Sequence, residues 1–231
     1  MDKTVAITGA SRGLGAAVAR AFGAEGAHLV LSARDTDALD MVAADVLEAG
    51  GSVSTVRADV RDEFDVERFC EEAARESDGG IDVLVANAGV YHGDVGQTRL
   101  ADESYSAFDD HLRTNVRGVY ATIREAVPHL APEARVLVPS GQIAREAKSG
   151  LGSYAVSKAG AEALVRQFAA ELEQAVGVVD PGQVSTDLTG NGPGRAPADV
   201  AGMFVWAATA ADAEELDGGV LDLRAWKSAT R

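Results

Sequence analysis

Short, β-branched apolar runs alternate along the chain with longer stretches whose apolar residues recur at helical spacing. Thr4–Thr8, Leu29–Ser32, Val53–Val56, Ile81–Ala86 and Val136–Ser140 are almost continuously apolar, as suits strands buried on both faces. Runs at Val176–Val179 and near Gly219–Leu223 bring the total to about seven strands. Between them the pattern predicts helices over Gly13–Glu25, Asp37–Ala49 and Glu63–Glu76. A long helical region follows from Asp102 to Leu130, then a helix from Gly152 to about Ala175 and another over Ala198–Ala208. Such alternation predicts an α/β fold: a doubly wound parallel sheet with helices on both faces. No repeat or long linker interrupts it, so one domain over residues 1–231 is expected. The Gly- and Pro-rich Thr189–Pro197 reads as a loop within that domain.

Composition narrows the function. With 46% hydrophobic and 25% charged residues the chain is ordinary globular protein, and 5% aromatics leave its core to Val, Leu and Ala. A formal charge of −15 speaks against nucleic acid or an anionic membrane as partner. Lysine is confined to Lys3, Lys148, Lys158 and Lys227, and this acidic, lysine-poor balance resembles proteins of salt-loving organisms. An acidic bacterial enzyme from a high-GC genome has the same look. Cys70 is the single cysteine, which fits a reducing compartment. The sequence opens without a signal-peptide pattern and carries no run fit to span a bilayer, so the cytoplasm is the expected location. His28, His92, His111 and His129 show no metal-ligand spacing, and no metal is expected. His92 reads as a loop residue, with the substrate mouth within its reach.

Candidate chemistry begins at Thr8-Gly9-Ala10-Ser11-Arg12-Gly13-Leu14-Gly15, directly between the first strand and the first helix. Gly9 suits a tight turn. Gly13 and Gly15 clear side chains from where a pyrophosphate and a neighbouring strand approach, and the free N–H groups of the helix then face phosphate. Downstream, Tyr154 and Lys158 are four residues apart and share a helix face. A nearby ammonium lowers a phenol's pKa from about 10 toward the range useful for proton exchange.

The eight-residue glycine turn, Asp59-Val60 after the third strand, Asn87-Ala88-Gly89 after the fourth and Tyr154-x-x-x-Lys158 occur in one chain, in this order. Together they resemble the short-chain dehydrogenase/reductase family over nearly the whole length. The resemblance implies a Rossmann-like fold and reversible interconversion of a carbonyl and an alcohol by hydride transfer, with Tyr154 as general acid/base. Lys158 would tune Tyr154 and hold the cofactor ribose. Ser140 resembles the serine that binds the substrate oxygen, although the spacing to Tyr154 is one residue long and Gly141 occupies the commonest position. Asn115 resembles the asparagine that kinks a helix and holds a water beside the lysine. Gly9, Ser11, Arg12, Gly13, Leu14 and Gly15 would bind the cofactor, with Asp59 and Val60 at the adenine and Asn87, Ala88 and Gly89 along the central sheet. Pro181, Gly182, Val184 and Thr186 resemble the element that holds the nicotinamide, though Lys158 to Pro181 is several residues short.

The second strand ends in Ala33-Arg34 rather than in the acid that would grip a ribose hydroxyl. Arg34 and Arg12 suit a 2′-phosphate, and the resemblance is to NADP-preferring members, hence NADP(H). Asp35 is a competing partner for Arg34. Implied partners are a small carbonyl or alcohol substrate and further copies of the chain, as a homo-dimer or homo-tetramer. A catalytically silent NADP(H)-binding sensor or scaffold is the rival reading. A sugar-nucleotide epimerase or dehydratase fits less well, because little chain follows Pro181 to build a substrate region.

Overall fold

The computed structural model describes residues 1–230. Seven strands form one sheet: β1 Thr4–Thr8, β2 His28–Ala33, β3 Ser52–Arg57, β4 Ile81–Val85, β5 Leu130–Pro139, β6 Ala175–Asp180 and β7 Val220–Asp222. The helices are α1 Gly13–Ala24, α2 Thr36–Glu48, α3 Glu63–Arg75, α4 Tyr105–Leu112, α5 Gly118–Ala126, α6 Gly152–Ala169, α7 Pro197–Thr209, α8 Ala213–Leu216 and α9 Leu223–Ala229. All strand pairs are parallel, in the order β3-β2-β1-β4-β5-β6-β7. The chain builds outward from β1 to β3, then returns to place β4 on the other side of β1. That reversal opens a crevice at the carboxyl ends of β1 and β4, where open α/β sheets bind ligands.

Alternation along each strand feeds two cores. Val5, Ile7, Leu29, Leu31, Val83 and Val85 pack with α1, α2 and α7, around Phe22, Leu39, Met203 and Trp206. Ala6, Val30, Leu84, Val136 and Val138 face the other way, onto α3, α5 and α6 with Phe69, Cys70, Ile123 and Val165. Helices therefore cover both faces, as the apolar pattern predicts.

Four boundaries differ from expectation. The Asp102–Leu130 region is broken: Leu100–Asp102 is a 3-10 turn, and Arg113–Arg117 between α4 and α5 is a π-helical turn. Strand β5 begins at Leu130, six residues before the apolar run, and its pairing with β4 shifts register between Ile81 and Val83 where Ala131-Pro132-Glu133 intervenes. The helix expected to reach Ala175 stops at Ala169, because β6 already starts at Ala175, paired with Arg135. The short Lys158–Pro181 segment is thus taken out of the helix, and β6 keeps its seat. The expected final strand closes early, and Asp222 caps α9 through the Arg224 and Ala225 N–H groups at 2.9 and 2.8 Å.

Candidate active site

A cavity of about 780 Å³ lies along the carboxyl ends of the central strands, within the range of small-molecule and cofactor sites. Its walls carry Gly9, Ser11, Arg12, Gly13, Leu14, Gly15, Arg34, Asp59, Val60, Asn87, Ala88, Gly89, Ser140, Tyr154, Lys158, Pro181, Gly182, Val184 and Thr186. Every candidate residue from the sequence is therefore brought to one space except Asn115, which lies behind the wall.

At one end, the turn after β1 is drawn tightly onto the end of β4. Asn87 Nδ2 donates to the Thr8 and Gly9 carbonyls at 2.9 and 3.0 Å, and Thr8 Oγ1 accepts from the Asn87 N–H at 3.1 Å. Gly9 has φ +66, and a Cβ there would meet Ala88 Cα at 2.7 Å, so glycine alone fits. Helix α1 then begins after Arg12, with no side-chain cap and no acid in its first turn. Its positive end faces the cavity.

Arg12 and Arg34 are exposed on the wall and form no ion pair among the described residues, whereas Arg61 is committed to Asp59 and Asp110. Asp35, the competing partner for Arg34, instead caps α2 by accepting the Ala38 N–H at 3.1 Å. Asp59 is held below the usual carboxylate range: partial burial opposes its charge, but the Arg61 fork and the Arg34 charge outweigh it. A cavity of this size, an uncapped helix end and two unpaired arginines suit a phosphorylated dinucleotide.

At the other end, Tyr154 and Lys158 point from α6 into the cavity. Lys158 Nζ lies 5.8 Å from the Tyr154 ring centroid and donates to the Pro139 carbonyl at 3.0 Å. In the protein by itself the phenol is not activated as the four-residue spacing suggests. Burial, aided by Tyr91, pushes it up to about 12. Burial pushes Lys158 down to about 8, against the pull of the Glu162 carboxylate one turn further on. Glu162 is buried, 3.7 Å from Arg145, which also pairs with Asp180 at the end of β6.

Ser140 keeps its sheet register, donating its N–H to the Val179 carbonyl at 3.1 Å. Its hydroxyl is buried with no partner, on the cavity wall. Neighbouring Gly141 also lines the wall, and a Cβ there would meet nothing within 4 Å. Asn115 sits in the π turn. Its Oδ1 accepts the Val90 N–H at 2.8 Å, and its Nδ2 donates to the Val90 carbonyl and to Ser157 Oγ, both at 2.9 Å. It ties the chain after β4 to α6.

Sequence reasoning missed the remaining wall. Tyr91, Val95, Ile143, Leu151 and Leu188 give it an apolar face, with Glu146, Lys148 and Asp187 at intervals. The order of the motifs holds a signal for part of this set, since residues between Ser140 and Tyr154 must lie close to both. Gly150, at φ +88, packs against Gly96, where a Cβ would sit 2.1 Å from the Gly96 carbonyl oxygen. His92 is off the wall, paired with Asp110 at 2.8 Å. No helix among the described residues is long and apolar enough to cross a membrane, and no cluster among them could hold a metal.

A family model described as short chain dehydrogenase matches residues 3–194. The glycine betaine reductase ATRR of Emericella nidulans is 36% identical over 195 residues, 81% of this chain but only 15% of that much longer protein. The short-chain dehydrogenase/reductase FrzI of a Cladobotryum species is 31% identical over 81% of this chain and 73% of its own length. Among solved structures, an alcohol dehydrogenase of Thermococcus sibiricus complexed with 5-hydroxy-NADP aligns with a TM-score of 0.83 and 29% identity over 96% of both chains. A 3-ketoacyl-(acyl-carrier-protein) reductase of Brucella melitensis complexed with NADH aligns at 0.84 and 26%, again over 96% of both.

Proposed function

The chain belongs to the short-chain dehydrogenase/reductase family, and from that premise we propose that it is an NADP(H)-dependent oxidoreductase interconverting a small-molecule carbonyl and alcohol. The observation that carries this reading is the meeting of an uncapped helix end, two unpaired arginines, the orphaned Ser140 hydroxyl, Tyr154 and Lys158 on one cavity. The cofactor, when bound, supplies or accepts the hydride.

The chain's own residues do the rest. The N–H groups at the start of α1 bind pyrophosphate, and Arg12 and Arg34 hold the 2′-phosphate by charge-assisted hydrogen bonds. Asp59 and Val60 flank the adenine, while Val184 and Thr186 hold the nicotinamide carboxamide. Ser140 donates its otherwise unpartnered hydroxyl to the substrate oxygen, and Tyr154 gives that oxygen a proton during reduction or takes one during oxidation. Lys158 holds the ribose and, once charged, favours phenolate at Tyr154. Asn115 steadies this arrangement by joining the chain at Val90 to α6. The whole of residues 1–231 acts as one cytoplasmic domain that assembles as a homo-dimer or homo-tetramer.

The silent-sensor alternative draws on Lys158, whose ammonium donates to the Pro139 carbonyl. One assay separates the two readings. Purified protein is mixed with NADPH or NADH and a panel of aldehydes and ketones, and loss of reduced cofactor is followed by absorbance. The proposal expects carbonyl-dependent consumption that is faster with NADPH. Tight NADPH binding without turnover on any carbonyl would favour the sensor, and equal or better use of NADH would overturn the phosphate assignment.

A further inference from the structure

Helix α6 carries Tyr154 and Lys158 but has no cap of its own, since the residue before it, Leu151, makes no side-chain cap bond. A carboxylate fifty positions upstream fills the gap. Glu103 Oε2 accepts the Ser153 N–H, one residue before Tyr154, at 2.7 Å. The acid is nearly solvent-free, with its side chain 4% exposed. Gly152 leaves the room: a Cβ there would fall 2.9 Å from Glu103 Oε2.

His111 completes the unit from α4. Its side chain is 0% exposed, and Nδ1 lies 3.2 Å from Glu103 Oε1 and 2.7 Å from Ser153 Oγ. Its Nε2 accepts the His92 N–H at 3.0 Å. That bond requires a lone pair on Nε2, so the ring proton sits on Nδ1, facing Ser153 and Glu103. Burial and the neighbouring His92 favour this neutral ring, against the charges of Glu103 and Asp110. The ring also packs in the aromatic group at the cavity, 6.0 Å from Tyr154 and 5.9 Å from Tyr91, centroid to centroid. Tyr91 meets Tyr154 edge-on at 4.9 Å.

We propose that Glu103 and His111 are a positioning pair for Tyr154, locking the first turn of α6 to the chain after β4 so that the phenol is held against the substrate wall. The inference rests on Tyr154 being the proton donor. Neither residue lines the cavity, so both act through Ser153 and Tyr154. Glu103 supplies the acceptor for a helix N–H that would otherwise be buried and unpaired, and its charge suits the positive end of the helix. His111 fixes the lateral position by bridging Ser153 to the His92 main chain.

The test compares Glu103→Leu, Glu103→Gln and the unaltered protein by hydrogen exchange at the Ser153 and Tyr154 amides, NADPH titration, and kcat and KM as functions of pH. In Glu103→Leu the Ser153 amide is expected to lose its protection and kcat to fall by about 10- to 100-fold, as for a small displacement of a reacting group. NADPH affinity should stay within about threefold, because the α1 turn is untouched. Glu103→Gln, which keeps the acceptor oxygen, should restore protection and most of kcat. Unchanged Ser153 exchange and unchanged kcat in Glu103→Leu would overturn the proposal, as would a Glu103→Gln variant no better than Glu103→Leu. If the unaltered protein turns over no carbonyl, the oxidoreductase reading fails. The exchange experiment still decides whether the pair holds the helix.

Discussion

Helices α1 and α6 both start at the cavity without a side-chain cap of their own, and the protein treats the two ends in opposite ways. At α1 no acid lies in the first turn, and Arg12 and Arg34 nearby form no ion pair among the described residues. At α6 a buried carboxylate from Glu103 occupies the position an anion would take. An open positive end is a ligand site, and a filled one is a fixed point. In the proposed function the α1 end is the one that receives phosphate. In the same proposal the Tyr154 end has to be rigid beforehand, because proton transfer tolerates little misplacement.

The division of labour predicts that the two ends fail separately. Removing the phenol hydroxyl in Tyr154→Phe should have the largest effect, a loss of about 10³-fold in kcat with folding and NADPH binding retained. Unchanged turnover would remove Tyr154 from the mechanism. Ser140→Ala should cost about 10²-fold in kcat, the scale of one lost donor to a developing oxyanion. Gly141→Ser, where the added side chain meets open space, is expected to leave stability within about 0.5 kcal/mol. In the Ser140→Ala background it should recover part of the rate if either position can present the hydroxyl. Recovery beyond the unaltered rate would place the true seat at Gly141.

At the cofactor end, Ala33→Asp combined with Arg34→Asp should weaken NADPH by about 2 kcal/mol, the worth of hydrogen bonds to a charged group, and shift preference to NADH. Parallel titrations of the two cofactors check it, and no change in their ratio would count against Arg34. The smallest effect is on stability. Folding lowers the Lys158 pKa from 10.5 to about 8, so between these values the unfolded chain binds the extra proton. Stability gained from this group therefore rises with pH from 8 upward, and the opposing shift at Tyr154 enters only above pH 10. Lys158→Met should flatten denaturant-measured stability between pH 8 and 10. An unaltered slope would mean that Lys158 is better solvated than its place in the cavity implies.

The same contrast governs what could be read from the sequence. The α1 end is local: Gly9 to Gly15 supply the turn, the uncapped helix start and Arg12 within one short stretch. Tyr154 and Lys158 were legible because helical geometry turns a spacing of four into a shared face. Glu103 and His111 were not, because their partner Ser153 lies in a distant segment and no spacing encodes the contact. His111 looked like one of four scattered histidines. The interior of the Asp102–Leu130 region was opaque for a related reason. Its apolar period continues through the π turn, and only the bonds of Asn115 to Val90 and Ser157 show why the helix is interrupted there. Strand cores were readable throughout. Their edges at Leu130 and Ala175 were set by pairing with neighbours rather than by local residues.

The most direct test follows the hydride and the proton donor together. NADPH carrying deuterium at the transferable position of the nicotinamide is mixed with a carbonyl that the protein reduces, and the alcohol is analysed by mass spectrometry. The account predicts one deuterium on the former carbonyl carbon with the unaltered protein, and the same labelled product formed about 10³-fold more slowly by Tyr154→Phe. Alcohol formed without the label, or labelled alcohol formed equally fast by Tyr154→Phe, would contradict it.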